Sequence, residues 1–203
     1  MDARIDQLAP GKRGGCNTWL VGDTDEVIVV DPGRDAEAVL AAVSDREILA
    51  VICTHGHPGH VAAALEVAAR DEAPVALHPR DVLAWREAHR GREPDIDMAE
   101  GGIFEVAGVA LEVIHTPGHS PGSVSLYCEQ LGVVFSGDAL TADGPAPYDG
   151  DYPDFPGQLS AIGQELLTLP DETRVLPGHG EETTVETAGK LFDSWVAAGP
   201  LPD

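Results

Sequence analysis

The chain has 203 residues, 35 acidic against 12 basic, for a formal charge of −23, and 43% of its residues are hydrophobic. That apolar fraction is near the globular average and excludes wholesale disorder, while the length suits one domain spanning residues 1–203. A surface this negative repels phosphate backbones, and no cationic run offsets it, so nucleic acid is excluded as a partner.

The opening MDARIDQLAPGKRGG has no apolar stretch of the kind a signal peptide needs, and no apolar run reaches the length of a membrane span. Two β-branched runs come first, TWLVG and EVIVVDPG, and read as strands joined through Gly22-Asp23. Asp35 to Val43 has alanine-rich helical spacing, ILAVIC reads as a buried strand, and Val61 to Arg70 as a helix. The short strand VAL follows, then a helix from Pro79 to about His89, with His89 expected to face water and His78 to cap a strand end. IFEVAG, VALEVIHT, SVSLYC and GVVFSGD are strands. Thr141 to Gly157, rich in Gly, Pro, Asp and Tyr, reads as a long loop over a functional face. A helix near Gln158–Leu169, the strand TRVLPG and a helix near Thr183–Ala198 complete the chain. Sheets with helices outside them on one continuous core suit this order. Cys16, Cys53 and Cys128 are few, odd in number and far apart, which argues against a disulfide framework and for a reducing, cytoplasmic setting.

The chemistry concentrates in Thr54-His55-Gly56-His57-Pro58-Gly59-His60, directly after a buried strand and directly before a helix. Three imidazoles on a tight Gly/Pro turn can aim at one point, and neutral imidazole is a good ligand for zinc and iron. A core histidine is normally single and satisfied by one hydrogen bond, so three together have no comparable structural use. Three further segments share the same syntax of apolar strand, tight turn and ligand-type side chain: His115-Thr116-Pro117-Gly118-His119-Ser120-Pro121-Gly122-Ser123, Ser136-Gly137-Asp138 and Pro177-Gly178-His179-Gly180. That arrangement lines ligands along one edge of a sheet, where loop-borne functional groups gather. His115 and Asp31, the latter in VVDPG, are candidates to brace the metal loops, because metal-bound histidines need such partners. Ser120 and Ser123 have no dedicated base partner, so a serine nucleophile is not expected.

The set T-H-G-H-x-x-H, H-T-P-G-H-S-P-G-S, S-G-D and P-G-H-G resembles the metallo-β-lactamase superfamily, in its glyoxalase II-like (hydroxyacylglutathione hydrolase-like) branch, from about Cys16 to about Thr184. The resemblance implies an α/β class αβ/βα four-layer sandwich with a metal site at one edge. It implies a first metal site of His55, His57 and His119 with Asp138 as a bridging carboxylate, and a second site of His60, His179 and Asp138. One departure matters: the family's H-x-H-x-D-H has become H-G-H-P-G-H, with Gly59 in place of a ligand aspartate. The second site thereby loses a full negative charge. One tightly held divalent ion is expected, zinc first and iron or manganese as alternatives, with a second that is weak or absent.

Two chemistries are open for such a site. The first is hydrolysis of a thioester or related small acyl substrate: a bound dication lowers the pKa of its water, supplying hydroxide for attack on a carbonyl, with Asp138 or His179 orienting the water. The second is an iron persulfide dioxygenase-like reaction, since His55, His119 and Asp138 match the two-histidine, one-aspartate set that the resemblance implies for such enzymes. A third reading is a divergent metal-binding protein that has lost hydrolase activity. The chain after Pro-Gly-His-Gly is too short for the helical region that supplies much of the glutathione site in full-length glyoxalase II proteins, so it resembles the compact members. Tyr148 and Tyr152, with Asp154 and Phe155 beside them, are candidates to wall the pocket around a small-molecule substrate.

Overall fold

The computed structural model describes residues 3–10, 15–147 and 154–199. Two mixed six-stranded sheets face each other. The first has the order β1 (Arg4–Leu8), β2 (Thr18–Gly22), β3 (Glu26–Val30), β4 (Glu47–Ile52), β5 (Val75–Leu77) and β6 (Ile96–Asp97). The second runs β12 (Thr183–Thr184), β11 (Arg174–Pro177), β10 (Val133–Gly137), β9 (Val124–Cys128), β8 (Val109–His115) and β7 (Ile103–Val106). β3 through β6 are parallel neighbours, as are β10 and β11, and the remaining pairs are antiparallel.

Period-2 alternation explains the layering, because successive strand residues point to opposite faces and here both faces are buried. Trp19, Val21, Ile28 and Val30 point inward and meet Val124, Leu126, Phe135 and Leu176 of the other sheet. Leu20, Val27, Val29 and Val51 point outward, under α1 (Ala36–Val43), α3 (Ala64–Ala69) and α4 (Val82–Ala88). On the far side, Val134 and Val175 are covered by α5 (Phe155–Ala161) with its π-helical continuation over Ile162–Leu166, and by α6 (Val185–Ala198). The four layers are the expected αβ/βα sandwich. Among the described residues no helix is long and apolar enough to cross a membrane.

The structure departs from the sequence reading in particulars. Arg4–Leu8, passed over as polar, forms an edge strand: Arg4 to Leu8 pairs antiparallel with Gly22 to Thr18, and backbone pairing at an edge needs no apolar run. The expected helix Val61–Arg70 is two pieces, α2 (Pro58–Val61) and α3, and Pro79 opens a 3-10 turn over Pro79–Asp81 before α4. His89 does not face water; its Nε2–H donates to the Val61 carbonyl at 2.8 Å and its ring lies 4.1 Å from that of Trp85. His78 caps the 3-10 turn, accepting from the Arg80 N–H, and stacks on His115 at 4.5 Å. Cys16, Cys53 and Cys128 are all buried and free.

Because β3, β4, β10 and β11 run parallel within their sheets, the segments leaving their C-terminal ends gather at one edge. Asp31 follows β3, Thr54–His60 follows β4, Asp138 follows β10 and His179 follows β11; His119 sits on the turn between β8 and β9. Asn17 stitches the two sheets at this edge, its backbone N–H bonding to Gly178 O and its side chain to Pro177 O and Gly180 O.

Candidate metal centre

The structure brings all six expected donors together. Donor atoms of His55, His57 and His119 lie within 4.8 Å of one another, and so do those of His55, His60 and Asp138. Asp138 stands between the two groups: its Oδ2 is 3.2 Å from His60 Nε2, 3.6 Å from His119 Nε2 and 3.9 Å from His55 Nε2. His179 joins through Asp138 Oδ1, 2.8 Å from its Nδ1, and is half exposed where the others are buried or nearly so. Tyr148 and Tyr152 lie outside the described residues. Asp154 caps α5 by accepting the Gly157 N–H, and neither it nor Phe155 is among the residues lining the cavity over the site.

The tautomers follow from the acceptors. Asp31 accepts Thr54 N–H on one oxygen at 2.7 Å; the other accepts the Thr54 hydroxyl at 2.7 Å and His60 Nδ1–H at 3.0 Å. With its proton committed to Asp31, Thr54 Oγ1 can only accept from His55 Nδ1, 3.1 Å away. His55 is therefore held with Nδ1 protonated and the Nε2 lone pair turned to the site, while His60, its Nδ1–H on Asp31, turns Nε2 towards Asp138 Oδ2. Asp31 does this from a left-handed backbone, φ 50°, which is unusual outside glycine and is fixed by bonds from its N–H to Ile52 O and from Thr18 Oγ1 to its own carbonyl.

These nitrogens are the fit test for a cation. His55 Nε2 and His60 Nε2 are buried without a hydrogen bond, although His60 Nε2 is only 3.2 Å from a carboxylate oxygen. Buried polar atoms are otherwise satisfied, and a lone pair aimed past its neighbour at a shared point suits a metal ion. His57 Nδ1 and His119 Nε2 face each other at 3.2 Å. Two imidazoles, a third histidine and a carboxylate are the donor chemistry of zinc or iron(II). The donors present fit a divalent ion.

Electrostatics sort the histidines into two kinds. Burial pushes His119 down to about 4 and holds His55 well below the ordinary histidine value, with the charges of His60 and His119 adding to the effect at His55. Burial also lowers His57. His60 goes the other way: burial opposes its charge, but Cys16, Asp138 and Asp31 outweigh it and raise it well above the usual range. Asp138 is correspondingly low, since His60 and His179 overcome its desolvation.

Close approach demands glycine at several points around the site, and Gly178 is the one that abuts the donors themselves. A Cβ on Gly178 would stand 2.4 Å from Asp138 Oδ1 and 2.7 Å from His60 Cε1. At Gly59 the opposite holds: a Cβ there meets nothing within 4 Å, so an aspartate is absent by sequence and not by lack of room.

Two residues were missed from sequence. Asp81, at the end of the 3-10 turn and 1% exposed, accepts Gly56 N–H at 2.8 Å and Ser120 O–H at 2.6 Å on one oxygen, and Gly122 N–H at 2.6 Å on the other. It thus ties the loop of His55 and His57 to the loop of His119. Ser123, 2.7 Å from Ser120 Oγ, must donate to it, so the two serines complete this clasp and are not nucleophiles. Gln158, buried, donates to both Asp138 O and Ala139 O and holds the Asp138 turn. A lone Asp in HPRD and a lone Gln in a helix carry no spacing that would reveal them. His115 Nε2–H bonds Pro121 O at 3.1 Å, bracing the His119 loop as expected.

Over the site opens a cavity of about 1030 Å³, lined by His57, His60, His119, Asp138 and His179 among others.

A sandwich of two facing sheets, with histidines and a carboxylate converging from separate loops at one edge, defines the class as a metallo-β-lactamase fold carrying a His/Asp metal-binding cluster. Residues 11–179 match the metallo-β-lactamase superfamily, and the chain belongs to it. It is 34% identical over 185 residues to the probable metallo-hydrolase YqgX of Bacillus subtilis, covering 84% of this chain and 88% of the relative. It is 29% identical over 185 residues to the hydroxyacylglutathione hydrolase GloC of Haemophilus influenzae, covering 83% and 87%. Among solved structures it is similar to TTHA1623 in a di-iron-bound form, with 32% identity, a TM-score of 0.77 and coverage of 92% and 97%.

Proposed function

We propose that the protein is a metal-dependent hydrolase of a thioester or related small acyl compound, working with one tightly held divalent ion, zinc first. The observation that carries this reading is the gathering of His55, His57 and His119 within 4.8 Å of one another, with Asp138 3.9 Å from His55 and 3.6 Å from His119, beneath an open cavity and with Asp31 fixing the donor tautomer of His55. A dication bound there supplies hydroxide at neutral pH and an acid for the acyl oxygen. His55, His57, His119 and Asp138 hold it. His60 and His179 with Asp138 form a second, weaker position, because Gly59 contributes no carboxylate.

His179 is the group best placed to handle protons. Its Nδ1–H is committed to Asp138 Oδ1, which leaves Nε2 as a lone-pair acceptor on a half-exposed ring lining the cavity. It orients the attacking water and passes a proton towards the departing thiolate. Similarity to a hydroxyacylglutathione hydrolase supports the thioester class, and similarity to a probable metallo-hydrolase supports hydrolysis.

A second reading, an iron persulfide dioxygenase-like enzyme, draws support from iron in a relative of 32% identity and from the His55, His119 and Asp138 set. Metal analysis of protein purified without added metal, followed by two assays, separates the readings. About one zinc per chain with thioester hydrolysis is the expected result. One iron with oxygen uptake on a persulfide would replace the first reading with the second. Bound metal with neither activity would leave a divergent metal-binding protein.

A further inference from the structure

We propose that Arg34 forms an anion subsite beside the metal centre, reading a carboxylate or phosphate group on the substrate. This deepens the hydrolase reading and rests on it for the word substrate.

Arg34 lines the same cavity as His57, His60, His119, Asp138 and His179, and among the described residues it is the arginine of that lining, with no lysine beside it. Most of the described cations are paired. Arg4, Arg46, Arg70, Arg86, Arg92, Arg174 and Lys190 all pair with carboxylates. Arg34 makes no ion pair or hydrogen bond with any described residue, in a protein with 35 acidic side chains available to quench it. Arg80 and Arg90 are also unpaired, but neither lines this cavity.

The position is built and not incidental. Arg34 follows Gly33, whose N–H bonds His60 O at 2.8 Å and whose carbonyl accepts Ala63 N–H at 2.9 Å, so its base is sewn to the segment that carries His60. A Cβ on Gly15 would stand 3.4 Å from the Gly59 carbonyl and 3.8 Å from Arg34 Cγ, so Arg34 and Gly59 flank the same backbone position and both line the cavity. An aspartate at 59, as in the family pattern, would add a negative charge to this wall of the cavity; glycine adds none, and a Cβ there would meet nothing within 4 Å. The lining also carries Glu87 on α4, whose charge acts on His57, Asp143 on the segment after Asp138, and Asp138 and His60 of the metal centre, and none of them forms an ion pair with Arg34.

A guanidinium offers a planar fork of donors that matches a carboxylate or phosphate, and a charge-assisted pair is about twice as strong as a neutral hydrogen bond. With Leu83, Ala84, Pro145, Ala146 and Pro147 supplying apolar wall, the cavity suits an acyl compound with an apolar stretch and one anionic end.

The test compares matched thioesters on the metal-loaded protein: S-acetylpantetheine against S-succinylpantetheine, and against S-acetylphosphopantetheine. Wild type is expected to prefer at least one charged member in kcat/KM. Arg34→Ala should cut that preference about 10-fold, Arg34→Lys should keep part of it, and Arg34→Glu should abolish it. A preference for the neutral ester in wild type, or the same preference in wild type and Arg34→Ala, overturns the proposal. If none of the three is hydrolysed, the hydrolase reading fails by itself. The subsite is then judged by calorimetric binding of succinate and inorganic phosphate: binding of either about 10-fold weaker in Arg34→Ala upholds it, and equal affinities for both overturn it.

Discussion

The carboxylate of Asp81 lies 2.6 Å from the Ser120 hydroxyl, and that contact joins two loops that are far apart in sequence. The same carboxylate accepts Gly56 N–H, so His55 and His57 on one loop and His119 on the other are set at their spacing by a residue that is not a donor in either group. Replacing Asp81 by alanine strands Gly56 and Gly122 N–H groups in the interior, at about 1–3 kcal/mol each. Loss of the partners that orient metal ligands costs about 10- to 100-fold in metal affinity. Competition with a chromophoric chelator should show that fall in Asp81→Ala. A variant that binds zinc as tightly as wild type would show that the clasp does not govern the site.

Asp31 acts on the donors themselves, fixing His60 directly and His55 through Thr54. Asparagine tolerates the left-handed backbone at this position, so Asp31→Asn isolates the side-chain effect. One oxygen becomes an NH2 that cannot accept: at Oδ1 it strands the buried Thr54 N–H, and at Oδ2 it removes the acceptor of the Thr54 hydroxyl and of His60 Nδ1–H together. Metal affinity should drop about 10- to 100-fold, with a changed visible spectrum in the cobalt-substituted protein. An unaltered spectrum would count against tautomer control by Asp31.

Gly59→Asp restores a carboxylate where there is room for one. Metal content by elemental analysis should rise from about one ion per chain towards two, since the second position gains a ligand and a negative charge. Stoichiometry fixed at one would mean that something other than Gly59 weakens that position.

At Gly178 the prediction is steric. A methyl group would lie 2.4 Å from Asp138 Oδ1, so Gly178→Ala forces Asp138 and His60 apart and should lower both the melting temperature and the metal content. Overpacking of this kind costs about 1–3 kcal/mol. Gly189→Ala in α6, where a Cβ meets nothing within 4 Å, is the control and should leave both unchanged or raise stability slightly. Equal behaviour of the two variants would refute the crowding argument.

The pH dependence of the chelator-treated protein follows from the histidines. The unfolded chain protonates them as pH falls through about 6.5, but the folded chain protonates His119 only near 4 and resists at His55 and His57, all because of burial. In that window the unfolded state binds more protons, so these residues make stability fall as pH falls. His60, raised in the folded state, works in the opposite sense: its contribution is full below about 6.5 and is lost as pH rises. Below about 6.5 the His60 contribution is already full and constant, so the other three set the sign, and the melting temperature should be lower at pH 5 than at pH 7. A flat or rising profile towards pH 5 would show that the folded chain takes up protons at these histidines as readily as the unfolded one.

Much of this protein was written locally. The β-branched, apolar runs marked β2 to β5 and β7 to β11, though not the two-residue strands β6 and β12, and strand-turn-ligand segments marked His55, His57, His60, His119, Asp138 and His179, because a ligand on a tight turn after a buried strand leaves a trace in consecutive residues. The missing carboxylate at Gly59 was equally plain. What consecutive residues could not carry was anything whose meaning depends on a distant partner. The edge strand Arg4–Leu8 is polar and exists through pairing with β2. Asp81, Gln158 and Gly178 are ordinary residues until the fold sets them against Gly56, Ser120 and Asp138. Arg34 is one arginine among several in the sequence, and only the fold makes it distinctive, by setting it in the wall of the cavity without a partner among the described residues. Sequence by itself determined which atoms are available as donors and that they sit at strand ends. Only the tertiary structure decided which hydrogen bonds hold those atoms in register, since hydrogen bonds and charge pairing act over a few ångströms of space, whatever the distance along the chain.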